Sequence, residues 1–231
     1  MALMLALAGG GCTSTRHFAT PAYVLPADRT VSLLVMRPDV SVGSATAGGM
    51  IEPNADWTRA ARANLAVALD TEARAHGLAV SMLPDQSGED ARLVADYEAL
   101  HRSVATAIAS FKYGTTPLPT KRTAFDWTLG PGAGQLARLG GGAATHALFL
   151  STQDAFATSG RRAMQVMFAL LGGYVPAGQH LAYASLVDLR TGDVVWFNVV
   201  DGSAGDIRTA EGARTLVGKL LQSLPKREAA R

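Results

Sequence analysis

The sequence predicts an α/β (α+β) fold in which a single mixed β-sheet of about five strands is flanked by helices. Short apolar runs with strand character alternate with helically periodic segments in the first half. Two apolar runs joined by a tight-turn sequence, and then an amphipathic segment, form the last third. With 231 residues, 48% hydrophobic and 17% charged, the chain is long enough to bury one sizeable core.

The first half of the chain contains two strands and two helices. Asn54 or Asp56 is placed to cap the first helix, and Gly77 to end it. The predicted elements are a buried strand at 29–37, a Gly- and Ser-rich loop at 38–54, a helix at 57–76, a strand at 78–83 and a helix from 87 to about 111.

The second half ends in a β-hairpin followed by a helix. Thr209 is placed to cap that helix, whose inner face carries Leu216, Val217, Leu220 and Leu221. The predicted elements are a short helix at 135–139, a strand at 145–152, the hairpin strands at 180–189 and 194–200, and the final helix from about 209 to 224.

Cys12, the only cysteine, follows a short apolar leader. Residues 2–8 are wholly apolar, and the small residues Gly9 to Gly11 precede the cysteine. A lipoprotein signal peptidase requires small residues at the cut, and the cysteine thiol carries the lipid. The pattern predicts a signal peptide at 1–11 and lipidation, including palmitate, at Cys12. The alternative is a ragged cytosolic N-terminus with an incidental buried cysteine.

The chain beyond the leader divides into three segments. We predict a lipid-anchored linker at 12–30, a single α/β domain at 31–225 and a charged tail at 226–231. The lipid would hold the protein on the periplasmic face of the outer membrane.

Residue patterns typical of enzymes are weak or missing. Gly132 to Ala137 fits a loose dinucleotide-binding pattern, but a strand rather than a helix follows it. The five histidines are isolated and predict no metal site. A formal net charge of +2 does not favour nucleic acid as a partner. We therefore expect no cofactor and no catalysis.

The stretch ASLVDLRTGDVVWFN at 184–198 contains the residues to which we assign structural roles. Asp188 can bind the backbone of its own turn, and Gly192 permits a positive φ angle. Trp196 is expected to pack across the sheet against the last helix.

This hairpin resembles that of periplasmic bacterial lipoproteins that share the fold of the TolB amino-terminal domain. They include the curli-export lipoprotein, the penicillin-binding-protein activator lipoproteins and uncharacterised proteobacterial lipoproteins. In that group an Asp-Leu-x-Thr-Gly turn precedes a strand that carries a Trp, as at 188–196 here. The resemblance implies a non-enzymatic role in envelope assembly, export or regulation through protein contacts.

A hydrophobic insert at 159–178 contains about 13 apolar residues, too few for a membrane-spanning helix. Its contact residues are expected to be Arg161, Arg162, Met164, Met167 and Phe168. Three interpretations stay open: a segment resting on a membrane, a docking helix for a partner, and a core or oligomer-contact helix.

Asp206 and Arg208 lie between the hairpin and the last helix. The simpler interpretation is a turn at the start of the helix, where negative charge is favoured. The alternative is a polar contact of Arg208 with Asp154 or Asp188.

The sequence thus predicts a non-catalytic lipoprotein that acts as an accessory or assembly factor in the bacterial envelope. Its expected partners are the membrane, through the lipid, and a protein or a second copy of itself. The alternative is an oligomeric subunit of an envelope export complex that uses the insert as its contact.

Overall fold

The computed structural model describes residues 13–20, 23–26, 31–113, 118–176 and 178–226. Cys12 and the leader at 1–11 lie outside the described residues. The strands are β1 Ser14–Ala19, β2 Ser32–Val35, β3 Asp39–Ala45, β4 Ile51–Pro53, β5 Ala79–Met82, β6 His146–Ala157, β7 Gln179–Asp188 and β8 Val194–Asp201. The α-helices are α1 Ala55–Ala75, α2 Gly88–Ile108, α3 Ser159–Leu170 and α4 Ala210–Leu221. A π-helical turn spans Ala109–Tyr113, and 3-10 helices span Pro119–Lys121 and Pro131–Gly140.

These strands form one mixed sheet in the order β1-β8-β7-β6-β2-β5. Strand β3 pairs in parallel with the second half of β6, beyond the end of β2, and carries β4 on its other side. The predicted mixed α/β fold with a C-terminal hairpin and helix is confirmed.

Helices cover both faces of the sheet. Helices α1 and α4 bury their apolar stripes against one face, where Trp196 and Leu65 are fully buried. Helix α2 and the 3-10 helix at 131–140 cover the other face, where Phe197 of the sheet and Leu136 of the 3-10 helix are fully buried. The first half of strand β6 has consecutive apolar residues in its sequence, because helices cover both faces of the sheet there.

The helix ends follow their predicted caps. The Asn54 carboxamide oxygen accepts a hydrogen bond from the Trp57 backbone N–H at 2.9 Å. The Thr209 hydroxyl accepts one from the Gly212 N–H at 3.1 Å. Both side chains satisfy donors that the first turn of a helix leaves without partners.

The sheet has eight strands rather than about five, and two expectations need correction. The first half of the predicted linker at 12–30 forms β1, an edge strand whose mostly polar, exposed side chains give no apolar signal. The predicted loop at 38–54 contains β3 and β4. Val40 and Val42 of β3 are buried, but the glycines and serines around them favoured a loop.

Candidate functional site

Helix α3 lies on the outside of the molecule. Thr158 caps it by accepting a hydrogen bond from the Arg161 N–H, and none of its residues is buried. Leu170 is 81% exposed, Leu171 80% and Tyr174, just after the helix, 85%. Of the core or oligomer-contact interpretation, the core part is therefore wrong, and an oligomer contact stays open.

Four of the exposed apolar side chains at α3 lie on one face. Val166, Met167, Leu170 and Leu171 follow helical spacing, so they form one continuous stripe. A helix on a water-soluble surface normally turns such a stripe toward the core. Here the stripe points away from the sheet, and Met164 is only half-buried.

Arg161 links the start of α3 to two neighbouring segments through hydrogen bonds. Its Nε donates a hydrogen bond to the Pro176 carbonyl at 2.8 Å, and its Nη1 donates one to the Thr46 carbonyl at 3.2 Å. The Arg161 guanidinium is thus used to position the helix. Arg162, one residue later, is exposed.

The β3–β4 hairpin adds two further apolar side chains beside α3. Met50 and Ile51 lie at its tip and are exposed, and the contact with Arg161 holds this tip next to the helix. We call the combined set the apical surface. It consists of Met50, Ile51, Val166, Met167, Phe168, Leu170, Leu171 and Tyr174.

The apical surface collects most of the exposed apolar bulk in the described part of the chain. It holds eight of the eleven large hydrophobic side chains that are exposed among the described residues. Scattered exposed apolar residues are ordinary on a monomer, whereas a contiguous group marks a contact site.

Strand pairing places the start of β1 at the same end of the sheet as α3. Ser14 pairs with Asp201, Asp201 with Leu181, and Leu181 with Gln153, which forms one row across four strands. Four residues beyond Gln153, strand β6 ends and leads into α3. Thr13, which directly follows the predicted lipidation site in sequence, donates a hydrogen bond from its hydroxyl to the Ser203 carbonyl at 2.6 Å.

The residues of the β7–β8 turn lie at the opposite end of the sheet. The Asp188 carboxylate accepts a hydrogen bond from the Arg190 N–H at 2.8 Å, and Gly192 has a φ of +80°. The Trp196 indole is fully buried against α4 and donates a hydrogen bond to the Ser223 hydroxyl at 3.3 Å.

Arg208 binds Asp206 rather than Asp154 or Asp188. Its guanidinium donates to both Asp206 oxygens, at 2.8 and 2.7 Å, and lies over the Phe156 ring at 3.8 Å. The Arg208 hydrogen bonds lower the pKa of the Asp206 carboxyl. Asp154 instead pairs with His180, whose Nδ1 lies 2.6 Å from its carboxylate. Asp206 and Arg208 thus brace the turn before α4.

The sequence indicated Met167 and Phe168 as contact residues but gave no signal for Met50 and Ile51, which follow two glycines in an expected loop.

Within the described ranges, no group of three or more His, Cys, Asp or Glu side chains is arranged to hold a metal ion. Among those same residues, no helix has the length and apolar character needed to cross a bilayer.

The fold defines a mixed α/β domain with an open eight-stranded sheet covered by helices on both faces. The chain matches no family model, and no curated protein matches it.

Among solved structures, it is similar to a PelC dodecamer from Paraburkholderia phytofirmans. The sequence identity is 17% and the TM-score 0.42, over 94% of this chain and 100% of that one. A second PelC dodecamer from the same organism, a variant with one leucine replaced by methionine, gives 16% identity and a TM-score of 0.44 over the same shares. These similarities are too distant to transfer residue roles or an assembly to this chain.

Proposed function

We propose that this protein is a non-catalytic, lipid-anchored accessory or assembly factor on the periplasmic face of the bacterial outer membrane. Its apical surface lies on the membrane that holds the lipid, and the rest of the domain is presented to protein partners. The observation that supports this proposal is that the apical surface and Thr13 lie at the same end of the sheet.

The short distance between the lipid site and the fold supports a membrane contact. Consecutive Cα atoms are about 3.8 Å apart, so a lipid on Cys12 is attached one residue from Thr13. A lipid there brings this end of the sheet to the membrane. The apolar side chains of α3 would then leave water for the acyl boundary, and the exposed Arg162 would lie at the level of the headgroups.

This contact gives the anchor a defined orientation. A lipid alone holds the chain at one point and leaves the domain free to turn. The apical surface adds a second, broad contact, because α3 and the β3–β4 tip are joined through Arg161. The β7–β8 turn then faces the periplasm, where partners can reach it.

The lipid anchor is tested in cells that produce the full chain. Cys12→Ser is expected to abolish incorporation of labelled palmitate and to release the protein from the outer-membrane fraction. Unchanged labelling would contradict the assignment of Cys12. Pull-down of the lipidated protein with mass spectrometry then identifies the partners.

The membrane contact is tested on protein produced from Thr13 onward, without lipid. Flotation with vesicles of phosphatidylethanolamine and phosphatidylglycerol measures its partitioning. Leu170→Ser combined with Leu171→Ser is expected to reduce partitioning at least about tenfold, since each exposed leucine contributes roughly 1–2 kcal/mol on burial. The matched control is Val67→Ser, at an α1 side chain that is 69% exposed outside the apical surface. Equal loss in the control, or no loss in the double variant, contradicts the proposal.

The same variants distinguish the membrane contact from the alternative role as an oligomeric subunit. If the protein is such a subunit, sedimentation of the lipid-free protein should show a mass that rises with protein concentration. The Leu170→Ser, Leu171→Ser variant should abolish that rise. A monomer that binds vesicles supports the membrane contact.

A further inference from the structure

A crevice opens where the parallel strands β2 and β5 end side by side. Beyond β2 the chain passes through β3 and β4 to α1, which covers one face of the sheet. Beyond β5 it passes to α2, which covers the opposite face. In open α/β sheets, ligands bind outside the carboxyl ends of parallel strands where the connections diverge in this way.

Two adjoining cavities fill this crevice. One of about 250 Å³ is lined by polar side chains from the β2–β3 junction, from α1 and from α2. The other, of about 350 Å³, is lined by mainly apolar groups that include Val35, Ala66 and Met82. The cavities share Arg37, Pro38 and Arg62, so a single ligand could reach both.

Three arginines line the polar cavity, and two of them, Arg37 and Arg62, have guanidinium donors without a hydrogen-bond partner among the described residues. Arg102 is bound to Asp39, with Nε to Oδ2 at 2.8 Å. Arg37 approaches Glu98 and Asp85 only at 3.8 and 4.0 Å.

The Arg62 Nε donates to the Pro38 carbonyl at 3.3 Å. No carboxylate in the described part of the chain lies within 4.0 Å of the Arg62 guanidinium nitrogens. Guanidinium donors of this kind suit a phosphate, which accepts two or more hydrogen bonds at once.

Glu98 supplies an acceptor beside these donors. Its Oε1 atom is buried and has no hydrogen-bond partner within the described ranges. Burial raises the pKa of this carboxyl, Asp39 adds to the rise, and Arg37, Arg102 and Arg62 oppose it. A buried acceptor without a partner is costly, so a ligand that brings a donor is favoured.

We infer that the crevice binds a phosphorylated polyol. The phosphate binds Arg62 and Arg37, a neighbouring hydroxyl donates to Glu98, and the carbon skeleton lies toward Met82. Two sources offer this chemistry: a free polyol phosphate and the headgroup of a phosphoglycerol lipid.

The test is isothermal titration of the unlipidated protein with glycerol 3-phosphate at constant ionic strength. We expect it to bind more tightly than inorganic phosphate, because only the ester carries an alcohol hydroxyl that can reach Glu98 while its phosphate binds the arginines. We expect glycerol not to bind. Arg62→Gln should weaken glycerol 3-phosphate binding roughly ten- to a hundredfold, as for the loss of a charge-assisted hydrogen bond. Arg190→Gln, in the exposed β7–β8 turn, is the matched control and should not change affinity.

The outcomes decide the proposal. No heat of binding at millimolar glycerol 3-phosphate, or an affinity that Arg62→Gln leaves unchanged, overturns it. Arg37→Gln repeats the test if Arg62→Gln fails to fold. Monomeric dihexanoyl phosphatidylglycerol separates the two sources. Tighter binding than glycerol 3-phosphate assigns a lipid headgroup, and equal or weaker binding assigns a free polyol phosphate.

Discussion

The buried histidine of α2 should make the protein lose stability in mild acid. His101 is only 5% exposed, and its ring stacks on Phe149 at 4.1 Å between centroids. Its Nε2 shares a hydrogen bond with the Ser185 hydroxyl at 2.5 Å. Burial lowers the pKa of His101 from 6.5 to about 3, with a smaller effect from Arg102. The native state therefore holds this imidazole neutral where the unfolded chain protonates it.

The size of the loss follows from the two pKa values. Well above pH 6.5 the imidazole is neutral in both states, and His101 adds no pH dependence to the free energy of unfolding. Below pH 6.5 the His101 imidazole binds a proton in the unfolded state but stays neutral in the native state. Unfolding therefore becomes easier by about 1.4 kcal/mol per pH unit. The loss is about 2 kcal/mol at pH 5 and about 4 kcal/mol at pH 3, where the native histidine is itself half protonated.

Urea denaturation at pH 7 and pH 5 measures this effect. His101→Gln keeps a polar nitrogen near Ser185 but does not titrate, so its stability should fall by about 2 kcal/mol less than that of the unmodified chain over this interval. His76→Gln, at the exposed end of α1, is the control and should preserve the full loss. If His101→Gln shows the same pH dependence as the unmodified protein, the assignment to His101 is refuted.

Two further pairs of variants test the packing. Gly192→Ala should lower the free energy of unfolding by about 2 kcal/mol or more, because a Cβ there would meet the Gly130 carbonyl. Gly142→Ala, with a φ of +77° but open space around it, should cost only about 1 kcal/mol, and equal losses would refute the clash. Leu171→Ser should change stability by less than about 0.5 kcal/mol, whereas the fully buried Leu220→Ser should cost about 3 kcal/mol or more. A large loss in Leu171→Ser would show that α3 belongs to the core.

The sequence predicts well those elements whose local residue pattern directly reflects which side chains are buried or which cap a helix. Within the run at 145–152, residues 147–150 are apolar and buried on both faces of β6. Asn54 and Thr209 cap helices through their own short-range hydrogen bonds. Strand β1 escapes prediction because a mostly polar edge strand lacks the alternation that marks a strand with one buried face.

The candidate sites could not be predicted from the sequence for a different reason: local patterns do not show which parts of the chain meet. The apolar stripe of α3 shows which of its residues share a face, but not whether that face meets the core, a membrane or a partner. Arg37, Arg62 and Arg102 lie far apart in the chain, and only the parallel pairing of β2 with β5 brings their elements together. Such pairing is non-local and leaves no periodic signal around any of the three arginines.

The two proposals together determine which source of ligand the crevice should use. Strand β6 passes both sites: Ser151 pairs with Asp39 beside the crevice, and Ala157 leads into α3 six residues later. At about 3.3 Å per residue, the crevice lies roughly 20 Å from the apical surface along the strand. A headgroup layer is only about 7 Å thick, so the crevice would open into the periplasm and not among lipid headgroups. If the apical surface rests on the membrane, the crevice should therefore bind free glycerol 3-phosphate and ignore phosphatidylglycerol in an intact bilayer.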